Sequence, residues 1–262
     1  MTKTRVLIVG TGNMGSAVAR ALDKRKDTEV YVTNRTRSKA ERTAEGTAMK
    51  VLDKAGDMKN ADVVILAVKP PMIAAVAAEV SALDAGLYIS LAAGVDLESL
   101  KRSLGKNDVV RFMPNIAASV GASVTAVTYT DDLDENKKEK ALSIASSFGS
   151  AFHLDESLFN AFIGISGSGI AYVFEFMHAL ALGGVREGIG YSEALHIVQD
   201  TLMSAVALQK KSGKGAIENE IMVCSPRGTT IEGVKILKES SFENSVIEAV
   251  SAAARKAGGS GR

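Results

Sequence analysis

Six residues near the start of the chain, Gly10-Thr11-Gly12-Asn13-Met14-Gly15, have the types and spacing to hold a diphosphate. Glycine at the first position permits a tight turn, and at the third it lets backbone approach a pyrophosphate. At the sixth it lets a helix pack closely on the preceding strand. A helix opening here offers free N–H groups and the positive end of its dipole to phosphates. A glycine-rich turn without a ligand is the alternative. The run, however, follows an apolar β-rich stretch, residues 5–9, and opens a helical stretch, residues 13–24. That is the start of a βαβ unit, so a dinucleotide site is expected, with Gly10, Gly12, Asn13, Met14 and Gly15 as its contacts.

The end of the second strand distinguishes the nucleotide. An Asp or Glu there holds the ribose hydroxyls of NAD. This chain has Thr33-Asn34-Arg35-Thr36-Arg37 instead. Arg35 suits a 2′-phosphate while Asn34 and Thr36 add hydrogen bonds, so NADP is the expected cofactor, with NADPH preferred over NADH. The same residues also read as a solvated basic loop. Ala67-Val68-Lys69-Pro70 closes a strand read over residues 63–68, and Arg111-Phe112-Met113-Pro114-Asn115 closes a later one. Ligands of open α/β sheets sit at this carboxyl edge. Ala67, Val68, Lys69, Pro70, Pro114 and Asn115 are therefore cofactor-side candidates, with simple strand-ending chemistry as the alternative.

A second chemical element lies far along the chain, at Cys224-Ser225-Pro226-Arg227-Gly228-Thr229-Thr230. Pro226 and Gly228 shape a loop, and Thr229-Thr230 begins a helix whose free N–H groups suit a small carboxylate. A pair of threonines capping a helix without a ligand fits equally well. Cys224 reads either as a redox-sensitive thiol or as a buried, inert one. His153, His178 and His196 lack metal-ligand spacing, and no metal site is expected.

The elements that must position these residues follow from periodicity. Strands are expected at residues 5–9, 29–33, 63–68, 87–91, 109–112 and 123–128, alternating with helices at 13–24, 38–45, 73–80, 97–104 and 135–148. This alternation gives an α/β, Rossmann-type doubly wound, mostly parallel sheet. From residue 157 the pattern turns all-helical, with helices at 157–164, 169–187, 192–212, 216–222, 229–239 and 242–257. The expected domains are 1–156, dinucleotide-binding, and 157–262, helical. The last five residues, 258–262, read as a flexible end.

Bulk properties narrow the partners. The 262 residues are 46% hydrophobic and 23% charged, with a net charge of +1. Such balance gives no reason to expect nucleic acid or an anionic membrane. A single cysteine and the lack of a secretory leader pattern point to a reducing, cytoplasmic setting. Residues 161–184 are apolar enough to be mistaken for a membrane span, but Glu175, His178 and several glycines argue against one. A helix buried on nearly all sides, by a second subunit as well as its own chain, is expected instead.

The run Cys224 to Gly233, with its Ser-Pro-x-Gly-Thr-Thr core, resembles the carboxyl-terminal signature of the pyrroline-5-carboxylate reductase family. The Gly10–Gly15 loop, Ala67-Val68-Lys69-Pro70, Met113-Pro114-Asn115 and Gly164-Ile165-Ser166-Gly167-Ser168-Gly169 resemble the same family in the same order. Arg227 departs from it, standing where a second glycine is common, and Ile170 stands where proline is common. The resemblance implies hydride transfer from NAD(P)H to the C=N of 1-pyrroline-5-carboxylate, giving L-proline. It further implies a carboxylate cradle at Ser225, Pro226, Gly228, Thr229 and Thr230, and a hydrogen bond from Thr230 to the ring nitrogen. A homodimer through the helical domain, extending in some members to a decamer, also follows from it. The rival closest in plan, a β-hydroxyacid dehydrogenase, would use a lysine on a helix of the second domain, and residues 151–209 contain none. A protein that senses NADP without turnover is the remaining alternative.

Overall fold

The computed structural model describes residues 3–259. Its first part is built on one sheet of eight strands in the order β3-β2-β1-β4-β5-β6-β7-β8. These are β1 (Thr4–Val9), β2 (Thr28–Thr33), β3 (Lys50–Val51), β4 (Ala61–Leu66), β5 (Ala85–Ser90), β6 (Val109–Met113), β7 (Ser123–Thr128) and β8 (Gly149–His153). Only the β6–β7 pair is antiparallel. The inner strands are runs of Val, Ile and Leu because both faces are covered. Val6, Ile8, Val63 and Ile65 face α1 (Asn13–Asp23), α2 (Arg37–Ala44) and α5 (Glu135–Ala145). Leu7, Val64, Leu66 and Tyr88 face α3 (Ile73–Val80) and α4 (Leu97–Leu104). Each fully buried Val, Leu or Ile contributes about 1.5–3 kcal/mol.

Four elements differ most from the sequence reading. β4 begins and ends two residues early, because the Asp62 carboxylate accepts the Arg5 N–H (2.7 Å) at its start and the chain turns off at Ala67. β3 is two residues long and β8 is a partly exposed edge strand of Gly, Ser, Ala, Phe and His, so neither carries an apolar run. The helix expected over 135–148 ends at Ala145 and closes with a 3-10 turn, Ser146–Phe148.

Contacts divide the chain into two compact units. One runs through Gly167 and takes in the chain from Ala254, and the other is Ser168–Ala253. The boundary expected at 156/157 therefore lies eleven residues before that between Gly167 and Ser168. The reason is that α6 (Phe159–Phe162) packs Phe159 and Phe162 on Met113 and Ala126 of the sheet. Arg111 of β6, only 5% exposed, pairs with Glu156 and lies 4.8 Å over the Phe159 ring. Glu156 also accepts the Leu97 N–H at 2.8 Å, tying this segment to the start of α4.

The second unit contains α7 (Gly169–Arg186), α8 (Tyr191–Ser212), α9 (Ala216–Val223), α10 (Thr229–Glu239) and most of α11 (Phe242–Ala257). Its core is small: Ala181, Ala194 and Val198 where α7 meets α8, with Met177, Leu195 and Leu202 around them. The expectation that α7 is buried on nearly all sides counted on a second subunit; within one chain it is covered only in part, by α8 and α11. Val173 is 50% and Phe174 62% exposed. The helical run Glu156–Arg186 is long and apolar enough to cross a membrane by length and composition, with 22% of its most apolar window buried. Of the end expected to be flexible, Gly258 and Gly259 bond back to Ala254 and Lys256, and residues 260–262 lie outside the described residues.

Candidate functional site

Parallel register brings three strand ends side by side. Val9 of β1 pairs with Thr33 of β2 and with Leu66 of β4. The residues that follow are locked to one another, the Gly10 N–H to the Thr33 carbonyl (2.9 Å) and the Ala67 N–H to the Val9 carbonyl (2.8 Å). From β1 the chain moves to β2 and β3 on one side, then crosses to β4 on the other. This is the switch point at which open α/β sheets bind ligands. A cleft of about 490 Å³ opens there. Its wall includes Gly10, Gly12, Asn34, Arg35, Ala67, Val68 and Lys69.

Geometry gives each glycine of the first loop a distinct reason. Gly10 has φ +103°, and a Cβ on it would lie 2.5 Å from the Ala67 carbonyl oxygen. A Cβ on Gly15 would meet the Gly10 carbonyl at 2.0 Å, so helix and strand touch through this position. Gly12 is different, with extended backbone and nothing within 4 Å of the Cβ position. Its missing side chain leaves open space at the start of α1, where no side chain caps the helix. The first N–H groups of α1, from Asn13, Met14 and Gly15, are unpartnered among the described residues. An open cradle beside free helix donors fits a dinucleotide pyrophosphate.

The residues after β2 are partly committed. The Asn34 side chain donates to the Thr11 hydroxyl (2.8 Å) and accepts the Thr36 N–H (3.0 Å), fastening the glycine loop to the β2 end. Arg37 is taken by Glu41 and Asp53. Arg35 is exposed and has no ion pair among the described residues. Lys69 is also exposed and unpaired there, immediately before the 3-10 turn Pro70–Met72.

Pro114 and Asn115 are not on the cleft wall. Both are buried. The Asn115 side chain accepts the Ala117 N–H and donates to the Ser166 hydroxyl, each at 3.1 Å. One amide N–H and the amide oxygen thus help to close the turn after β6. Sequence reasoning missed Asp53, Lys54, Met72, Ala75 and Glu79 on the wall. The two-residue β3 gave no strand signal for the first pair, and the apolar stretch around α3 read simply as core.

In the second unit, the Gly228 N–H returns to the Ser225 carbonyl at 3.0 Å, making a tight turn. Pro226 at its second position and Arg227 at φ +59° in the third are the type II signature. A Cβ on Gly228 would fall 2.2 Å from the Ser225 hydroxyl oxygen, so a side chain there would require that hydroxyl to rotate away. Gly228 is the cap of α10 and supplies no side-chain hydrogen bond, which removes the reading of Thr229 and Thr230 as capping residues. Both are already in the helix, and their N–H groups are free among the described residues. Thr230 is half-buried and Ser225, Pro226 and Thr229 are exposed. Free N–H donors, hydroxyls and a positive dipole end suit a small carboxylate. No group of three or more His, Cys, Asp or Glu able to hold a metal occurs among the described residues.

Comparison with known proteins agrees with this arrangement. A family profile for pyrroline-5-carboxylate reductase dimerisation matches residues 156–259. A second, described as NADP oxidoreductase coenzyme F420-dependent, matches residues 5–94. The pyrroline-5-carboxylate reductase of Aquifex aeolicus is 39% identical over 260 residues, covering 97% of this chain and 96% of that protein. That of Escherichia coli is 32% identical over 255 residues, 94% of each. The solved pyrroline-5-carboxylate reductase of Coxiella burnetii has a TM-score of 0.91 at 29% identity, with 100% of both chains covered. Fold and relatives converge, and the chain belongs to the pyrroline-5-carboxylate reductase family of NAD(P)-dependent oxidoreductases.

Proposed function

We propose that the chain reduces the C=N bond of 1-pyrroline-5-carboxylate to give L-proline, with NADPH preferred over NADH. The observation that carries the reaction is the Ser225–Gly228 turn leading into the uncapped start of α10, set in a chain with a complete dinucleotide loop. Reduced nicotinamide, when bound, supplies the hydride. The chain's own residues bind, orient and keep water out. Gly10, Gly12 and the N–H groups of Asn13, Met14 and Gly15 hold the diphosphate. Ala67, Val68, Lys69 and Pro70 border it on the other side of the switch point, and Pro114 and Asn115 brace the neighbouring loop. Arg35 takes the 2′-phosphate, with Asn34 holding its loop. Ser225, Pro226, Gly228, Thr229 and Thr230 cradle the substrate carboxylate, and the Thr230 hydroxyl hydrogen-bonds the ring nitrogen.

A protonated cyclic imine already accepts hydride well, so no strong general acid is needed. The residues assigned here include none, which is consistent with positioning as the main task. Thr230→Ala removes a hydrogen bond to the reacting ring and is expected to lower kcat/KM by about tenfold or more. A variant within twofold of the parent would remove Thr230 from the mechanism.

The helical unit mediates self-association through the family's dimerisation module. We read the exposed apolar residues of α7 and α8, among them Phe174 at 62% and Met203 at 71%, as the surface a second copy covers. A homodimer is the minimal assembly and a decamer the larger one. Sedimentation as a monomer at micromolar concentration would contradict both. The setting is read as cytoplasmic, with no nucleic-acid or membrane partner.

A further inference from the structure

Beside Arg35, a second cation stands at the phosphate-selecting end of the cleft. β3 is only two residues long, but it pairs in parallel with β2, Lys50 with Tyr31 and Val51 with Val32. The lock continues beyond the strands, with the Leu52 N–H on the Val32 carbonyl (2.9 Å) and the Thr33 hydroxyl on the Asp53 carbonyl (3.4 Å). Lys54 therefore leaves the sheet at the same edge and level as Asn34 and Arg35, and both Lys54 and Arg35 line the cleft. Neither cation has an acidic partner among the described residues.

The nearby carboxylates are turned to other donors. Asp53 is paired with Arg37. Asp57 accepts the Lys54 N–H (3.2 Å), and Glu79 accepts the Ala55 N–H (2.7 Å). The two acidic residues of the wall, Asp53 and Glu79, are thus engaged internally, while the ammonium of Lys54 and the guanidinium of Arg35 remain available. Two unpaired cations on adjacent strand ends match a doubly charged phosphate monoester better than a neutral ribose diol.

We infer that Lys54 is a specificity-determining residue that shares the 2′-phosphate of NADP(H) with Arg35, one cation from the end of each of two paired strands. This rests on the NADP reading above. Asp53, held by Arg37, is the group that would otherwise oppose the phosphate.

The test is calorimetric titration of the full chain with 2′,5′-ADP and 5′-AMP, which differ only in the 2′-phosphate and need no turnover. Lys54→Met is expected to weaken 2′,5′-ADP by about five- to tenfold and leave 5′-AMP within about twofold, with Lys54→Arg restoring the parent affinity. Added salt should weaken 2′,5′-ADP less in Lys54→Met than in the parent. If Lys54→Met binds both nucleotides as the parent does while Arg35→Ala loses 2′,5′-ADP, the Lys54 assignment is overturned and the NADP reading stands. If the parent chain binds 2′,5′-ADP no more tightly than 5′-AMP, the NADP reading fails and this inference with it.

Discussion

At Arg227 the chain places a bulky side chain in left-handed backbone, φ +59°, in the turn between Ser225 and Gly228. Left-handed geometry costs a non-glycine residue about 1–2 kcal/mol, whereas glycine loses about 0.5–1 kcal/mol in extra unfolded-state entropy. Arg227→Gly should therefore raise stability by about 0.5 kcal/mol net, read as a higher urea midpoint at unchanged slope. A lower midpoint would mean that the guanidinium makes a contact that outweighs the strain. The departure from the family's glycine was legible in the sequence, but the positive φ that gives it meaning was not. Gly12 shows the reverse case. Spacing marked it in the sequence as a position where backbone approaches a ligand, and in the fold its absent side chain faces open space. Asn115 was placed at the right strand end, yet its hydrogen bonds to Ala117 and Ser166 depend on a partner 51 residues away, which no local pattern reveals.

Among the elements, helix starts divide by what closes them. α1 and α10 start from Gly12 and Gly228, with no side-chain cap. α4 and α5 are closed by Asp96 and Asp134, whose carboxylates accept the N–H of Ser99 and Asn136. A glycine cap alone marks no site, since α8 also starts from Gly190. The loops of Gly10–Gly15 and Ser225–Gly228 make the difference. The Ser99 N–H bond holds the Asp96 carboxyl below the ordinary aspartate range. Because the folded value is depressed, the cap's contribution is present above the unfolded value and is lost as pH falls through the folded one. Asp96→Ala should cost about 1 kcal/mol at neutral pH, and the gap from the parent should shrink as pH drops below about 4. An equal gap at both pH values would show that the carboxylate's charge is not what caps α4. Helices α3, α4, α10 and α11 were legible to the residue, because period and punctuation agree at their ends. β3 and β8 were not, since strands this short or this exposed take their existence from a neighbour's hydrogen bonds.

For the whole molecule, the sequence order of a wound sheet followed by helices was legible, and so was the family. How the first helical turn is shared was not. Phe159 and Phe162 lie in the helical stretch of the sequence but pack with the sheet. The extent of bare apolar surface on the second unit also needed coordinates, because only Ala181, Ala194 and Val198 form the buried core that α7 shares with α8. The chemistry proposed for the whole chain is imine reduction. Its most direct test is the initial rate of NADPH and NADH oxidation by the purified chain with 1-pyrroline-5-carboxylate, against lactam and hydroxyacid analogues. The account predicts oxidation that depends on the imine, is faster with NADPH, and accumulates proline. Folded protein that turns over neither cofactor with the imine would contradict it.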